Sequence, residues 1–240
     1  MIVSVDRVIQ KALWWAADYL WAATAWAATA GAPDDPSGYT TGDRRPVLVL
    51  PGVYENWQFM RPTIEAFHDA GHPAHVVPEL GANRRPVDSG AAAVLAYLRA
   101  HDLHDAVLVG HSKGGLIGKL ALLRDDEGRI AHLVTICSPF HGSSRCRLLP
   151  LPSLRRLDPE DALLRSLDAN DSKNAQITSF APVYDEHVPE GSHLDGARNL
   201  TFPIAGHFRP IGHPGSLRAL IAAVDGPDAG PSADQSRVTA

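Results

Sequence analysis

One turn constrains this chain more than any other stretch: Gly110-His111-Ser112-Lys113-Gly114, a serine with a glycine two places away on either side. The apolar, β-branched run at 106–109 before it reads as a buried strand, and residues 116–123 after it read as a helix. A serine in a sharp strand-to-helix turn is forced into a strained backbone conformation, and side chains at the two flanking positions would crowd it. Such a turn lifts the hydroxyl above the edge of a sheet, beside helix N-terminal amides that can stabilise an anion. Ser112 is therefore read as a nucleophile. The bland alternative is a tight turn in a nucleotide-binding sheet. It requires a G-x-G-x-x-G or Walker-type loop, and the sequence has neither.

Further apolar runs at 47–50, 74–77, 130–136, 176–182 and 199–204 are expected to be strands. They alternate with helical stretches at 57–70, 88–101 (with Asp88 as N-cap) and 217–224. Strands that are apolar throughout imply a mainly parallel sheet of about six strands with helices on both faces, an α/β fold. The 240 residues, 45% of them apolar, suffice for one such domain at 44–224. Right-handed crossovers gather the C-terminal ends of the strands on one edge. That edge collects Pro51-Gly52, Ser112, Ser138-Pro139 and the loops after Pro182 and Ala205.

A serine is a poor nucleophile at its free pKa and needs a base, which needs an orienting acid. Asp185 follows the fifth strand and His207 the sixth, in the order Ser…Asp…His that this turn predicts. Glu186, Asp195 and Asp171 compete with Asp185, and His213, just before Pro214 in a surface or cap position, competes with His207. His111, His141, His187 and His193 are read as structural or solvated, with His111 pointing into the domain below the turn.

At this point the chain resembles the α/β-hydrolase superfamily, and within it the small bacterial lipases and esterases. Gly110-His-Ser-Lys-Gly114 is similar to the family's nucleophile turn, and Asp185-Glu-His-Val188-Pro189 to its acid loop. Gly206-His207 is similar to its histidine loop, and Ser138-Pro-Phe-His-Gly-Ser143 to the Pro-His-x-Gly segment of triacylglycerol lipases. The likeness runs over residues 44–224 and implies an α/β-hydrolase fold lacking the first two strands of the full form. It implies a cofactor-free lipase or esterase that cleaves carboxylic esters through Ser112, His207 and Asp185 and an acyl-enzyme. The chain departs from many relatives in carrying Pro51-Gly52 where they have His-Gly. The oxyanion would lie on the backbone N–H of Lys113 and one from the loop after the first strand, Val53 ahead of Tyr54. Glu55 and Trp57 in that loop are read as packing residues.

Two segments lie outside this scheme. Residues 1–32 are rich in alanine and tryptophan, with Asp18 among the aromatics. They read as an extra helix packed on the domain, with an interfacial anchor or an atypical signal peptide as alternatives; the central charge argues against a membrane span. Residues 144–173 lack a strand and read as a cap or lid. There Arg145, Arg147, Arg155 and Arg156 are interleaved with leucines, with no acid through residue 157; the leucines are expected to cover the acyl pocket and the arginines to face an anionic surface or substrate, or else solvent. The tail at 225–240 is expected to be disordered.

The formal net charge of −5 gives no reason to expect a nucleic-acid partner, and Cys137 and Cys146 are read as unpaired. The expected partner is an ester or lipid-like small molecule, with peripheral membrane contact through the N-terminal helix or the Arg/Leu-rich lid. The cytoplasm is the expected location, with membrane association or secretion as alternatives. Because fold and triad do not choose the acceptor, a thioesterase, acyltransferase, lactonase or perhydrolase stays open. So do a non-catalytic ligand-binding protein and a membrane-adhering interaction protein.

Overall fold

A computed structural model describes residues 5–31, 35–148 and 151–226. The apolar runs become six parallel strands: β1 (Val47–Leu50), β2 (Ala74–Val76), β3 (Ala106–His111), β4 (Ile130–Ile136), β5 (Ile177–Tyr184) and β6 (Arg198–Ala205). Their order across the sheet is β2-β1-β3-β4-β5-β6. Alternate residues of a strand face opposite sides, and the central strands sort themselves accordingly. Leu48, Leu50 and Leu108 face a layer built on α3 (Val87–Ala100) and α4 (Lys113–Leu123). Val47, Val49, Val107 and Val109 face the layer of α2 (Arg61–Asp69) and α7 (Pro214–Asp225). Both layers are needed because β1 and β3 are buried at every residue.

The chain runs outward from β1 to β2, then returns to the other side of β1 as β3. The loops after β1 and β3 therefore part at the sheet's switch point, where a crevice opens beyond the strand ends. Register places Leu50 beside Gly110, so Gly52 and Ser112 leave the sheet at the same level. Farther along, Tyr184 is paired with Ala205, which brings Asp185 next to the loop carrying His207.

Several local expectations need correction. The second helix starts at Arg61 rather than residue 57, because Trp57–Met60 form successive turns and Pro62 stands in its first turn. The helix after the β2 loop is preceded by Pro86 without a side-chain cap; Asp88 lies in its first turn, paired with Arg124 at 3.0 Å. Residues 144–173 contain a 3-10 turn (Ser144–Leu148), α5 (Pro152–Arg155) and α6 (Ala162–Ala169). There Asp161 caps α6 by accepting from the amides of Leu163 and Leu164. Both cysteines are buried and free. The segment at 227–240, read as a disordered tail, lies outside the described residues.

The N-terminal segment forms α1 (Val5–Thr29), a helix of 25 residues. No helix among the described residues is long and apolar enough to cross a membrane. α1 rests on the domain through Trp14, Asp18, Trp21, Ala22 and Ala25, which fall on one face of the helix. Trp21 and Trp26 both reach Phe59, with ring centroids 5.8 and 5.1 Å away.

Candidate active site

Ser112 stands between β3 and α4 with φ 50° and ψ −118°, a conformation that L-residues rarely adopt. Its neighbours must be glycine for identifiable reasons. A Cβ on Gly110 would come within 2.5 Å of Gly114 and Gly115 backbone atoms, and one on Gly114 would strike the Leu50 carbonyl oxygen. The elbow is thus wedged between its own helix and the end of β1. Lys113 follows as the first residue of α4, where amides have no carbonyl one turn back to bond. Its ammonium is fully buried and donates to the carbonyls of Asn83 (2.7 Å) and Arg85 (2.5 Å), tying down the β2–α3 loop. Burial, with the charge of Arg156 adding, lowers this ammonium to about 8.

Asp185 and His207 meet across the ends of β5 and β6. Imidazole Nδ1 lies 2.8 Å from Asp185 Oδ2, while Asp185 Oδ1 accepts from the amides of His187 (2.8 Å) and Val188 (3.0 Å). Burial alone would push the Asp185 carboxyl up, but the charge and hydrogen bond of His207 and the His187 amide hold it below the ordinary carboxylate range. Burial likewise pulls the His207 imidazole down. The carboxylate of Asp185 outweighs that, helped by Glu55 and Asp18, and raises it to about 9.

Ser112, His207, Val53 and Glu55 line one cavity of about 640 Å³. Its walls are largely apolar, with Leu148, Leu151, Leu154 and Leu157 on one side and Trp15, Tyr19 and Trp26 of α1 on another. Ser112 and His207 thus face the same space, although no hydrogen bond joins them among the described residues. In unliganded sites such bonds are often long and tighten with substrate. Of the residues proposed from sequence, Ser112, Val53, Lys113, Asp185 and His207 are brought to this one rim. His213 is not: it caps α7, its Nδ1 accepting from the Gly215 amide at 3.2 Å. Asp195 is exposed and paired with His193, and Asp171 is exposed as well.

Three groups read from the sequence as something other than site residues surround the pair. Asp18, in the middle of α1 and fully buried, accepts from three consecutive amides: His207 (3.0 Å), Phe208 (3.0 Å) and Arg209 (2.8 Å). Glu55, read as loop packing, is buried against the site. Its Oε2 accepts from the Gly52 amide (2.6 Å) and meets His111 Nδ1 (2.9 Å), whose Nε2 lies 3.0 Å from the His207 carbonyl oxygen. One carboxylate therefore braces both the loop after β1 and the backbone of His207. His187, expected to be structural or solvated, lines the cavity, with its ring 4.9 Å from that of His207. Burial, with His207 adding, drives His187 down to about 3, so it stays neutral while its Nε2 meets the Tyr19 hydroxyl at 3.1 Å. Burial, then the Asp18 charge, raises Glu186 to about 7.

The lid arginines differ from expectation in one respect. Arg147 forms two 2.7 Å bonds with Asp158, just beyond the acid-free stretch, whereas Arg145 lines the cavity and Arg155 and Arg156 are exposed. Two clusters have donor atoms close enough to share an ion, His111–Cys137–His207 and Asp18–Glu186–His187. In the first, both His111 nitrogens and His207 Nδ1 are already engaged, and burial holds the Cys137 thiol protonated. In the second, Asp18 is taken up by three amides and His187 by Tyr19.

No protein-family profile and no curated protein sequence matches the chain. Solved structures do. Lipase BlEst2 of Bacillus licheniformis in its mature form shares 17% identity, covering 80% of this chain and 93% of that one, at a TM-score of 0.59. In the propeptide form of that lipase the match is 15% identical and spans 81% of this chain but 51% of the other, at 0.60. Non-heme bromoperoxidase BpoC of Mycobacterium tuberculosis, described as putative in its own report, matches at 17% identity, 77% and 92% coverage and 0.59. The hydrolase olei00960 of Oleispira antarctica matches at 17%, 78% and 93%, and 0.56. With six parallel strands in this order and helices around them, the chain has the α/β-hydrolase fold.

Proposed function

We propose that the protein is a serine hydrolase that cleaves carboxylic esters with a lipid-like acyl part. The reading rests on one observation: a strained serine and a hydrogen-bonded histidine–aspartate pair, from three separate loops, border a single apolar cavity. Kinship of fold with a lipase and several hydrolases supports it.

In this mechanism Ser112 Oγ attacks the acyl carbon and its proton passes to His207 Nε2. Asp185 accepts from Nδ1–H, holding the tautomer and offsetting the imidazolium charge. The new oxyanion lies on the amides of Lys113 and Val53. Collapse breaks the ester C–O bond, and His207 returns the proton to the departing alcohol. Water then resolves the acyl-enzyme with His207 again as base. The leucines of the 144–157 segment and the aromatics of α1 hold the acyl chain, and that segment serves as a lid.

p-Nitrophenyl esters from acetate to palmitate, tested with wild type and Ser112→Ala, examine this directly. Wild type should turn them over and the variant should lose at least about 10⁴-fold in kcat. A variant that keeps wild-type turnover would remove Ser112 from the reaction. Thioesters assayed alongside separate an esterase from a thioesterase.

A further inference from the structure

We propose that the solvent-facing side of α1, together with the leucines across the cavity mouth, docks the protein on the surface of an anionic phospholipid bilayer. At 100° per residue, an arc about 160° wide runs along this helix from Val8 to Ala27 without one charged side chain. It holds Val8, Ile9, Leu13, Trp15, Leu20 and Trp26, of which Leu13 and Leu20 are 65% and 68% exposed. A helix of 25 residues is about 37 Å long, so this is an extended ridge, far beyond a scattering of single apolar residues.

What covers the ridge is indicated by where it leads. Trp15, Tyr19 and Trp26 belong both to the arc and to the cavity wall, so apolar surface runs into the mouth without a polar break. On the far rim Leu148 is 69% exposed and Leu151 40%. A protein partner seated across both rims would plug the cavity, whereas a lipid layer covers them and also supplies substrate. Tryptophan and tyrosine rings at such a border suit the headgroup level, where one side is wet.

Charge selects the lipid. Lys11 on α1, whose ammonium stands over the ring of the cavity-lining Tyr184, and Arg145, Arg155 and Arg156 beyond the mouth are exposed and carry no ion pair among the described residues. Asp6 at the arc's edge, Glu186 in the cavity and Glu190 near Arg145 oppose them, which leaves a basic excess. Anionic headgroups match that excess.

The binding claim stands apart from the hydrolase reading; only its role in substrate supply rests on it. The test is flotation of the full chain with phosphatidylcholine vesicles, with and without phosphatidylglycerol, alongside Leu13→Asp/Leu20→Asp. Neither leucine lines the cavity, so hydrolysis of a water-soluble p-nitrophenyl ester should be unchanged in this variant, which also reports its folding. The expected result is flotation strengthened by phosphatidylglycerol, weakened by salt, and reduced at least tenfold in the double variant. Quenching of tryptophan fluorescence by bromine-labelled acyl chains should accompany it. Absence of flotation from every vesicle, or flotation that ignores the substitutions, would overturn the proposal. So would a stable dimer in light scattering that the same substitutions dissociate, since the ridge would then join two copies.

Discussion

Asp18→Asn should damage catalysis although the residue lies 189 positions from His207 and touches it only through the backbone. The carboxylate accepts from three successive amides at 2.8–3.0 Å while wholly buried. Hydrogen bonds to a charged acceptor contribute about 1.5–3 kcal/mol each. Asparagine keeps the volume but offers one acceptor oxygen and turns an NH₂ towards at least one of these donors. That should cost roughly 2–4 kcal/mol, or on the order of 5–12 °C in Tm for a chain of this size. Because the lost bonds hold the segment that carries the imidazole, kcat should fall about 10- to 100-fold, the loss expected for an ångström-scale misplacement. One less anion near His207 also lowers its pKa, so the acidic limb of kcat/KM should move to lower pH. The assay is kcat/KM against pH on a soluble ester, paired with thermal melting. A purely structural role would lower Tm without moving the limb. Wild-type kcat with an unmoved limb would refute the reasoning outright.

Two further outcomes follow from the same geometry. In the wild type, kcat/KM should rise with pH and level off above about 9, because the proposed mechanism needs a neutral His207 to accept the serine proton and the surroundings of the ring hold it protonated below that point; a limb near 6.5 would contradict the arrangement around the ring. Gly114→Ala should yield little folded protein, since its methyl group meets the Leu50 carbonyl oxygen at the end of a central strand; normal expression, melting and activity would show that the elbow has more room than its geometry implies.

Much of this was legible in the sequence because the informative signals were local. A glycine-flanked serine between a strand and a helix, and two loops at consecutive strand ends, are each contained within a few residues. Parallel topology then does the long-range work by collecting them on one edge. What the sequence hid was long-range in origin. Asp18 reads as a lone charge spoiling an apolar helix until the fold brings three amides to it. Glu55 looks like any loop acid until β1 and β3 align and His111 comes within 2.9 Å. The pairing of Arg147 with Asp158 was missed because the acid stands one residue beyond the stretch that looked free of acids. The late start of α2 did have a local signal, Pro62 in its first turn, which weighed less than the apolar pattern ahead of it.

The central claim is that the hydroxyl of Ser112 is an activated nucleophile served by His207. Fluorophosphonate labelling followed by peptide mapping addresses it without assuming any substrate. The adduct should map to Ser112 in the wild type, vanish in Ser112→Ala, and form at least about 10³-fold more slowly in His207→Ala. An unlabelled wild type, an adduct on another residue, or labelling indifferent to His207 would contradict it.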